Sequence, residues 1–169
     1  INGQEITPNL NKLLNNSIYF NNIYQQNKKG FSSDADLMSN TSIYPSDGST
    51  FYDYTTVKLN SMSRTLTDQG YNTISTHPER GGGWNWAEAH SGILGVKNIW
   101  TVDLFDTDEV IGLGISDGSY LRQVSEKLKD VNNPYYAFMV TLTSHGDFEL
   151  PEKYKYITLP NELHNTVVG

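Results

Sequence analysis

The 169-residue sequence has no cysteine, which excludes a disulfide scaffold, a Cys-ligated zinc site, an iron–sulfur cluster and a thiol nucleophile. It does not exclude export, because a chain of this length buries a sizeable core without covalent staples. Basic residues are also scarce: 12 Lys and Arg stand against 19 Asp and Glu, a formal net charge of −7. Nucleic acids and anionic membranes both select clustered Lys and Arg. Only Lys28-Lys29 and the pair Lys153 and Lys155 approach a cluster, so no nucleic-acid partner is expected. Long apolar runs are missing too. None approaches the roughly 20 residues that cross a bilayer, and the N-terminus has neither a charged start nor an apolar signal core. The chain itself therefore reads as soluble. It opens on Ile1 and stops at Val167-Val168-Gly169, straight after an apolar pair, which leads us to expect a piece of a longer protein.

What is present is an alternation of helix and strand signals. Thr7-Pro8 ahead of Leu10, Leu13 and Leu14 predicts a helix capped by Thr, with Pro at its first position and the leucines on one face. Residues 17–24 are rich in β-branched and aromatic side chains and predict a strand. Ser32-Ser33-Asp34 ahead of Leu37-Met38 is written like a helix N-terminus. Residues 44–58 read as an irregular excursion. A helix over 61–69, ended by Gly70, leads at once into a strand over 71–76. The Gly81-Gly82-Gly83 loop opens a short helix around residues 84–90, and residues 96–102 predict another strand. Ser116-Asp117 cap a helix whose apolar positions Leu121, Val124, Leu128 and Val131 follow helical spacing. Residues 135–142 are apolar without alternation, the pattern of a strand covered on both faces.

This order predicts an α/β fold with a largely parallel sheet sandwiched between helices. Ligands of such sheets collect beyond the carboxyl ends of the strands. Three polar clusters are expected there: Ser32-Ser33-Asp34, His77-Pro78-Glu79-Arg80 and Thr143-Ser144-His145-Gly146. A hydroxyl at a helix start lies near the positive end of the dipole, which suits a nucleophile if a neighbour takes its proton. Ser32 or Ser33 would serve equally as a simple N-cap, and the segment leaves both roles open. No Gly-x-Ser-x-Gly elbow is present, which weighs against a Ser-His-Asp triad. His77 and Arg80 have the chemistry to hold phosphate or sugar oxygens, although polar residues are also the ordinary content of a turn. Trp84 and Trp86, two residues apart, do not share a helix face: one is expected in the core and one at a pocket wall. His145 follows the apolar strand and is a candidate on that ground, whereas His90 and His164 read as structural or exposed. No His-x-x-x-His spacing or repeated Asp/His pairing marks a complete metal site.

Together these segments resemble the lipoteichoic acid synthase and phosphoglycerol transferase family, a sulfatase-like branch of the alkaline phosphatase superfamily. Residues 3–13 are similar to the family's opening helix. Gly30-Phe31-Ser32-Ser33-Asp34-Ala35-Asp36 resembles its Gly-x-Thr-Ser-Asp-x-Glu nucleophile segment, and Asn40-Thr41-Ser42-Ile43-Tyr44-Pro45 the stretch that follows. His77 with Trp84-Asn85 resembles its substrate-site His and Trp-Asn. Thr141-Leu142-Thr143-Ser144-His145 resembles its Thr-Leu-Thr-Asn-His. The resemblance implies that Ser32 takes the place of the catalytic Thr, binds a divalent metal such as manganese or magnesium, and attacks the phosphorus of phosphatidylglycerol. His77, Arg80, Trp84 and His145 would then hold the substrate, and a glycerophosphate polymer would accept the transferred group. The implied location is the outer face of the membrane of a Gram-positive-type bacterium, reached through missing parts of a membrane-anchored parent. Residues 1–169 would form the central part of one sulfatase-like catalytic domain, flanked on both sides by missing parts.

Several departures qualify the implied chemistry. The nucleophile is Ser rather than Thr. The segment after it lacks the Pro and Arg of the Cys/Ser-x-Pro-x-Arg signature that sulfatases proper mature to formylglycine, so sulfate-ester hydrolysis is disfavoured. Trp86 stands where the family tends to have an Arg, and Arg80 is the neighbouring cation. The family's other metal ligands, a Glu upstream and an Asp-His pair downstream, have no counterpart in Glu5 or His164. The fragment alone is therefore expected to be inactive and to bind metal weakly. Alternatives are a phosphodiesterase or phosphoethanolamine transferase on the same fold, or a non-catalytic module that binds a glycan or polyanion through its aromatic residues.

Overall fold

The computed structural model describes residues 3, 5–26, 31–45, 53, 56–79, 85–148 and 150–157. Its centre is a three-stranded parallel sheet in the order β2-β1-β5, made of β1 (Asn72–Thr76), β2 (Asn98–Trp100) and β5 (Tyr135–Met139). The register pairs Ile74 with Asn98 on one side and with Ala137 on the other. Parallel neighbours require crossovers, and here they are helical. Between β1 and β2 run α4 (Trp86–Glu88) and a π-turn (Ala89–Ile93), and between β2 and β5 runs α5 (Asp117–Leu128). A small antiparallel pair, β3 (Val110–Ile111) and β4 (Gly114–Ile115), precedes α5. Before the sheet come α1 (Pro8–Leu13), α2 (Ser32–Thr41) and α3 (Met62–Asp68). The expected α/β class with a parallel sheet and helices is the one observed.

Two helix boundaries follow the expected capping chemistry. The Ser61 side chain accepts from Arg64 N–H at the start of α3, and Gly70, at φ +87°, takes the left-handed turn after its end. The Ser116 side chain accepts from Ser119 N–H at the start of α5. Within α5, however, the deepest side chain is Tyr120 rather than Leu121. Tyr120 and Val124 join Phe105 and Ile115 in one core cluster, whereas Leu121 is 42% exposed. The Tyr120 hydroxyl makes this possible by donating to the Thr76 carbonyl at 2.9 Å. A second core cluster joins Leu37 of α2 to Ala89, Ile93, Leu94 and Val96.

Hydropathy misplaces the buried strand. The expectation that β5 is covered on both faces is wrong: it lies at an edge of the described sheet, with Tyr135 and Met139 exposed. The central strand is β1, whose sequence Asn-Thr-Ile-Ser-Thr is mostly polar, yet residues 73–76 are all buried. Two of the three buried hydroxyls of β1 find partners, while Thr76 Oγ1 has none among the described residues. Thr73 Oγ1 bonds Thr67 Oγ1 of α3 at 2.8 Å, and Ser75 Oγ bonds the His90 ring at 2.8 Å. The strand expected over residues 17–24 is also not formed. The chain there is extended at Ser17 but pairs with no strand among the described residues, and Ile18, Phe20 and Ile23 are exposed. Pro8 opens α1 as expected, but Thr7 makes no capping bond. Its hydroxyl donates instead to the Asn11 side chain, and the three leucines face outward.

Candidate active site

Ser32 is the first residue of α2 and is exposed. Phe31, in extended conformation, occupies the N-cap position, and no side chain caps the helix. Ser32 is thus not consumed as a cap. The amides of a first helical turn have no helical carbonyl to donate to, so this end of α2 carries the positive end of the dipole. Asp34 N–H is satisfied locally by the Phe31 carbonyl at 3.1 Å. Ser33, the other candidate, points inward: it is fully buried, and its hydroxyl has no hydrogen-bond partner among the described residues.

Ser32 opens onto a cleft beyond the carboxyl ends of β1 and β5, where parallel sheets collect ligands. His77 follows β1 directly, and Val140, Thr141, Leu142 and His145 follow β5; all five line the cleft with Ser32. Asp36, Glu79, Trp86, His90 and Leu113 complete the lining, around about 530 Å³ of space that is partly open to solvent. Of the residues singled out in the sequence, Ser32, His77 and His145 are thus brought together. Arg80 and Trp84 lie outside the described residues, as does the Gly81-Gly82-Gly83 loop.

His77 is held from two sides. Its Nδ1–H donates to the Val140 carbonyl at 3.3 Å, linking the ends of β1 and β5, and Nε2 lies 3.4 Å from Glu79 Oε2. Trp86 meets the ring edge-on, with centroids 5.7 Å apart and planes at 87°. The same indole meets His90 at 5.7 Å and 86°, and it also packs on the Leu37 and Ala89 cluster. Trp86 therefore fills both roles expected of the tryptophan pair, core filler and cleft wall. His145 sits on the opposite flank, is exposed, and has Nδ1 2.6 Å from the Gly146 carbonyl. Its segment is positioned through the backbone: Asp117, at the start of α5, accepts from Leu142 N–H at 2.7 Å and Thr143 N–H at 3.1 Å. The Asp117 N–H donates in return to Thr143 Oγ1 at 2.8 Å.

Asp117 itself stands on a second acidic anchor. Glu109 accepts from Ser116 Oγ at 2.6 Å, from Lys153 Nζ at 2.6 Å and from the Tyr154 hydroxyl at 2.5 Å. These donors, Lys153 foremost, hold its carboxyl at about 2. Beneath the cleft, burial pushes the Tyr120 hydroxyl up to about 12. Glu79 belongs to a cluster expected at the cleft, whereas Asp36 has no part in that expectation and His90 reads as structural or exposed. One signal was available: Asp36 is four residues after Ser32, on the same helix face.

A hydroxyl at a helix N-terminus, facing histidines delivered by parallel strands, has the chemistry to accept an anionic ester and attack it. Fold and site thus define an α/β domain with an exposed hydroxyl at a helix N-terminus beyond the carboxyl ends of a parallel sheet. The chain belongs to the sulfatase family, whose profile matches residues 1–161. It is similar to the lipoteichoic acid synthase-like YvgJ of Bacillus subtilis, with 31% identity over 156 residues, 90% of this chain and 25% of that protein. It is 28% identical over 176 residues to the lipoteichoic acid synthase of Staphylococcus aureus, covering 100% of this chain and 27% of that protein. The chain therefore spans about a quarter of the length of these relatives. Among solved structures, the lipoteichoic acid synthase LtaP from Listeria monocytogenes superposes with a TM-score of 0.85 at 30% identity, over 99% of this chain and 42% of that one. An alkaline phosphatase superfamily protein from Vibrio parahaemolyticus shares the fold, with a TM-score of 0.78 at 21% identity over 96% of this chain and 41% of that one.

Proposed function

We propose that this chain is the nucleophile-bearing central part of a phosphoglycerol transferase of the lipoteichoic acid synthase type, working through a covalent intermediate on Ser32. The observation that carries the reading is the placement of an exposed, uncapped hydroxyl at the start of α2 in the same cleft as His77 and His145. Ser32 Oγ attacks the phosphorus of phosphatidylglycerol. A bond forms from Ser32 to phosphorus, the phosphorus–oxygen bond to diacylglycerol breaks, and the serine proton is balanced by one taken up by the departing oxygen. A hydroxyl at the end of the glycerophosphate polymer then attacks the same phosphorus, the serine ester breaks, and the proton returns to Ser32. Both steps exchange one phosphate ester for another, so no oxidant or reductant is needed. His77 and His145 hold phosphate and glycerol oxygens in this reading, together with Arg80 and Trp84. The positive end of α2 offsets the phosphate charge.

A divalent cation, manganese or magnesium, would lower the pKa of the nucleophile in such a site. Here only Ser32 Oγ is proposed to face it. Among the described residues no group of three or more His, Asp or Glu could hold a metal ion, so its other ligands are proposed to come from outside these residues. The location that goes with the reading is the outer face of a Gram-positive-type cell membrane, with the parent protein anchored there. No helix among the described residues is long and apolar enough to cross a membrane.

The test uses the protein at the length of its relatives, loaded with manganese and given phosphatidylglycerol vesicles, with diacylglycerol release as the readout. Ser32→Ala is expected to lower the rate by roughly 10³-fold or more, and Ser32→Thr to keep most of it. Equal release by Ser32→Ala overturns the reading. Release from phosphatidylethanolamine but not phosphatidylglycerol would point instead to phosphoethanolamine transfer.

A further inference from the structure

The cleft holds one histidine that the proposed function does not use. His90 is 1% exposed and lies on the π-turn between α4 and β2. Its two ring nitrogens connect two elements of the site. Ser75 Oγ–H donates to Nδ1 at 2.8 Å, and Nε2–H donates to Asp36 Oδ2 at 3.3 Å. The assignment follows from the partners: a carboxylate only accepts, so the ring proton belongs on Nε2, and the serine hydroxyl is free to donate to the other nitrogen. Ser75 lies two residues before His77 on β1, and Asp36 one helical turn after Ser32 on α2. The histidine therefore ties the helix of the nucleophile to the strand that delivers the substrate-facing histidine.

The surroundings hold the ring in one orientation. Trp86 meets it edge-on at 5.7 Å, and Phe138 of β5 tilts against it at 5.6 Å. The turn that carries it is anchored at its far end: Arg64 donates to the Gly92 and Ile93 carbonyls at 3.3 and 3.0 Å, and Ser61 Oγ donates to the Leu94 carbonyl. A π-turn widens the helix by one residue, a departure that recurs at functional sites. Here its bond runs from Leu94 N–H to the Ala89 carbonyl at 3.1 Å, enclosing His90.

We propose that His90 is a positioning residue that, acting through Asp36, locks Ser32 of α2 in register with His77 at the end of β1. This rests on the reading of Ser32 as the nucleophile. A misplacement of about 1 Å at a reacting atom costs on the order of 100-fold in rate, so the lock should appear in turnover rather than in substrate binding. His90→Phe keeps the ring packing against Trp86 and Phe138 and removes both nitrogens, whereas His90→Gln keeps an N–H donor toward Asp36.

In the protein at the length of its relatives, measured as above, His90→Phe is expected to lower kcat roughly 10- to 100-fold while KM changes by less than about 2-fold. His90→Gln should recover part of that loss. Asp36→Asn added to His90→Phe should cost little more than His90→Phe alone, because both break one connection. A raised KM with unchanged kcat, or fully additive losses, would overturn the proposal. Nitrogen-15 NMR of the histidines in the unsubstituted protein provides a readout independent of turnover and of the folding of any variant. A proton on His90 Nε2 is expected, and one on Nδ1 alone contradicts the lock. If Ser32→Ala retains activity, the nucleophile reading fails, and the NMR result still decides whether the connection exists.

Discussion

On one flank of the cleft, α2, β1 and the π-turn are tied side chain to side chain through Asp36, His90, Ser75 and Trp86. On the other, residues 140–145 are held by their backbone, with Asp117 taking two of their amides while the His145 side chain stays exposed. The first construction suits a group that must not move. Buried polar networks, once satisfied, rigidify and specify one arrangement. The second sets the path of the chain and leaves the His145 ring exposed, tied among the described residues only to the neighbouring Gly146 carbonyl. On the proposed reading, the nucleophile would sit on the rigid flank and an oxygen-binding histidine on the other, a division that suits transfer between two different alcohols.

The substitution expected to do most damage strikes both flanks together. A Cβ on Gly114 would lie 2.3 Å from the Pro78 carbonyl oxygen and 2.7 Å from Leu142 Cδ2, pressing on the residue after His77 and on the opposite wall. Gly114→Ala should cost up to about 3 kcal/mol, the upper end for overpacking, seen as a lower denaturation midpoint. Asp117→Ala attacks the second flank alone by removing the acceptor of two amides. About 2 kcal/mol is expected, with faster hydrogen exchange at Leu142 and Thr143 and none of the change at residues 32–41.

Tyr120→Phe removes the hydroxyl that donates to Thr76 beneath the first flank, at about 1 kcal/mol near neutral pH. It also changes the alkaline limb. The phenol titrates at about 12 in the folded chain against an ordinary 10, so its contribution is full below pH 10 and lost between 10 and 12. The variant should lack that loss. The smallest effect belongs to Lys153→Ala, an exposed partner of Glu109. Glu109 is held at about 2 against an ordinary 4.5, so its contribution is present above pH 4.5 and lost as pH falls toward 2. Acid titration of the melting temperature should be shallower in the variant.

The parts of the fold that are legible in the sequence are those specified locally. Ser61, Gly70 and Ser116 mark helix ends because capping is a matter of one or two residues. The gathering of His77 and His145 follows from a general property of parallel sheets once the strands are assigned, whereas Ser32 reaches the cleft although the strand expected before it, over residues 17–24, does not form. Burial is different, because it depends on partners distant in sequence. The apolar strand β5 lies at an edge, whereas the polar strand β1 is central, with Thr67 and His90 satisfying two of its three hydroxyls. Nothing near residue 90 announces that its ring will meet a carboxylate 54 positions earlier. Residues 17–24 carry a strand's composition and find no strand to pair with among the described residues, because composition specifies an extended chain but not its neighbour.

The central claim is that the hydroxyl at the start of α2 becomes esterified. Its most direct test is mass spectrometry of peptides from the protein at the length of its relatives, stopped early after mixing with manganese and phosphatidylglycerol without acceptor. The account predicts a glycerophosphate adduct on Ser32, formed one for one with diacylglycerol. Diacylglycerol release with no adduct, or with the adduct on Ser33, would contradict it.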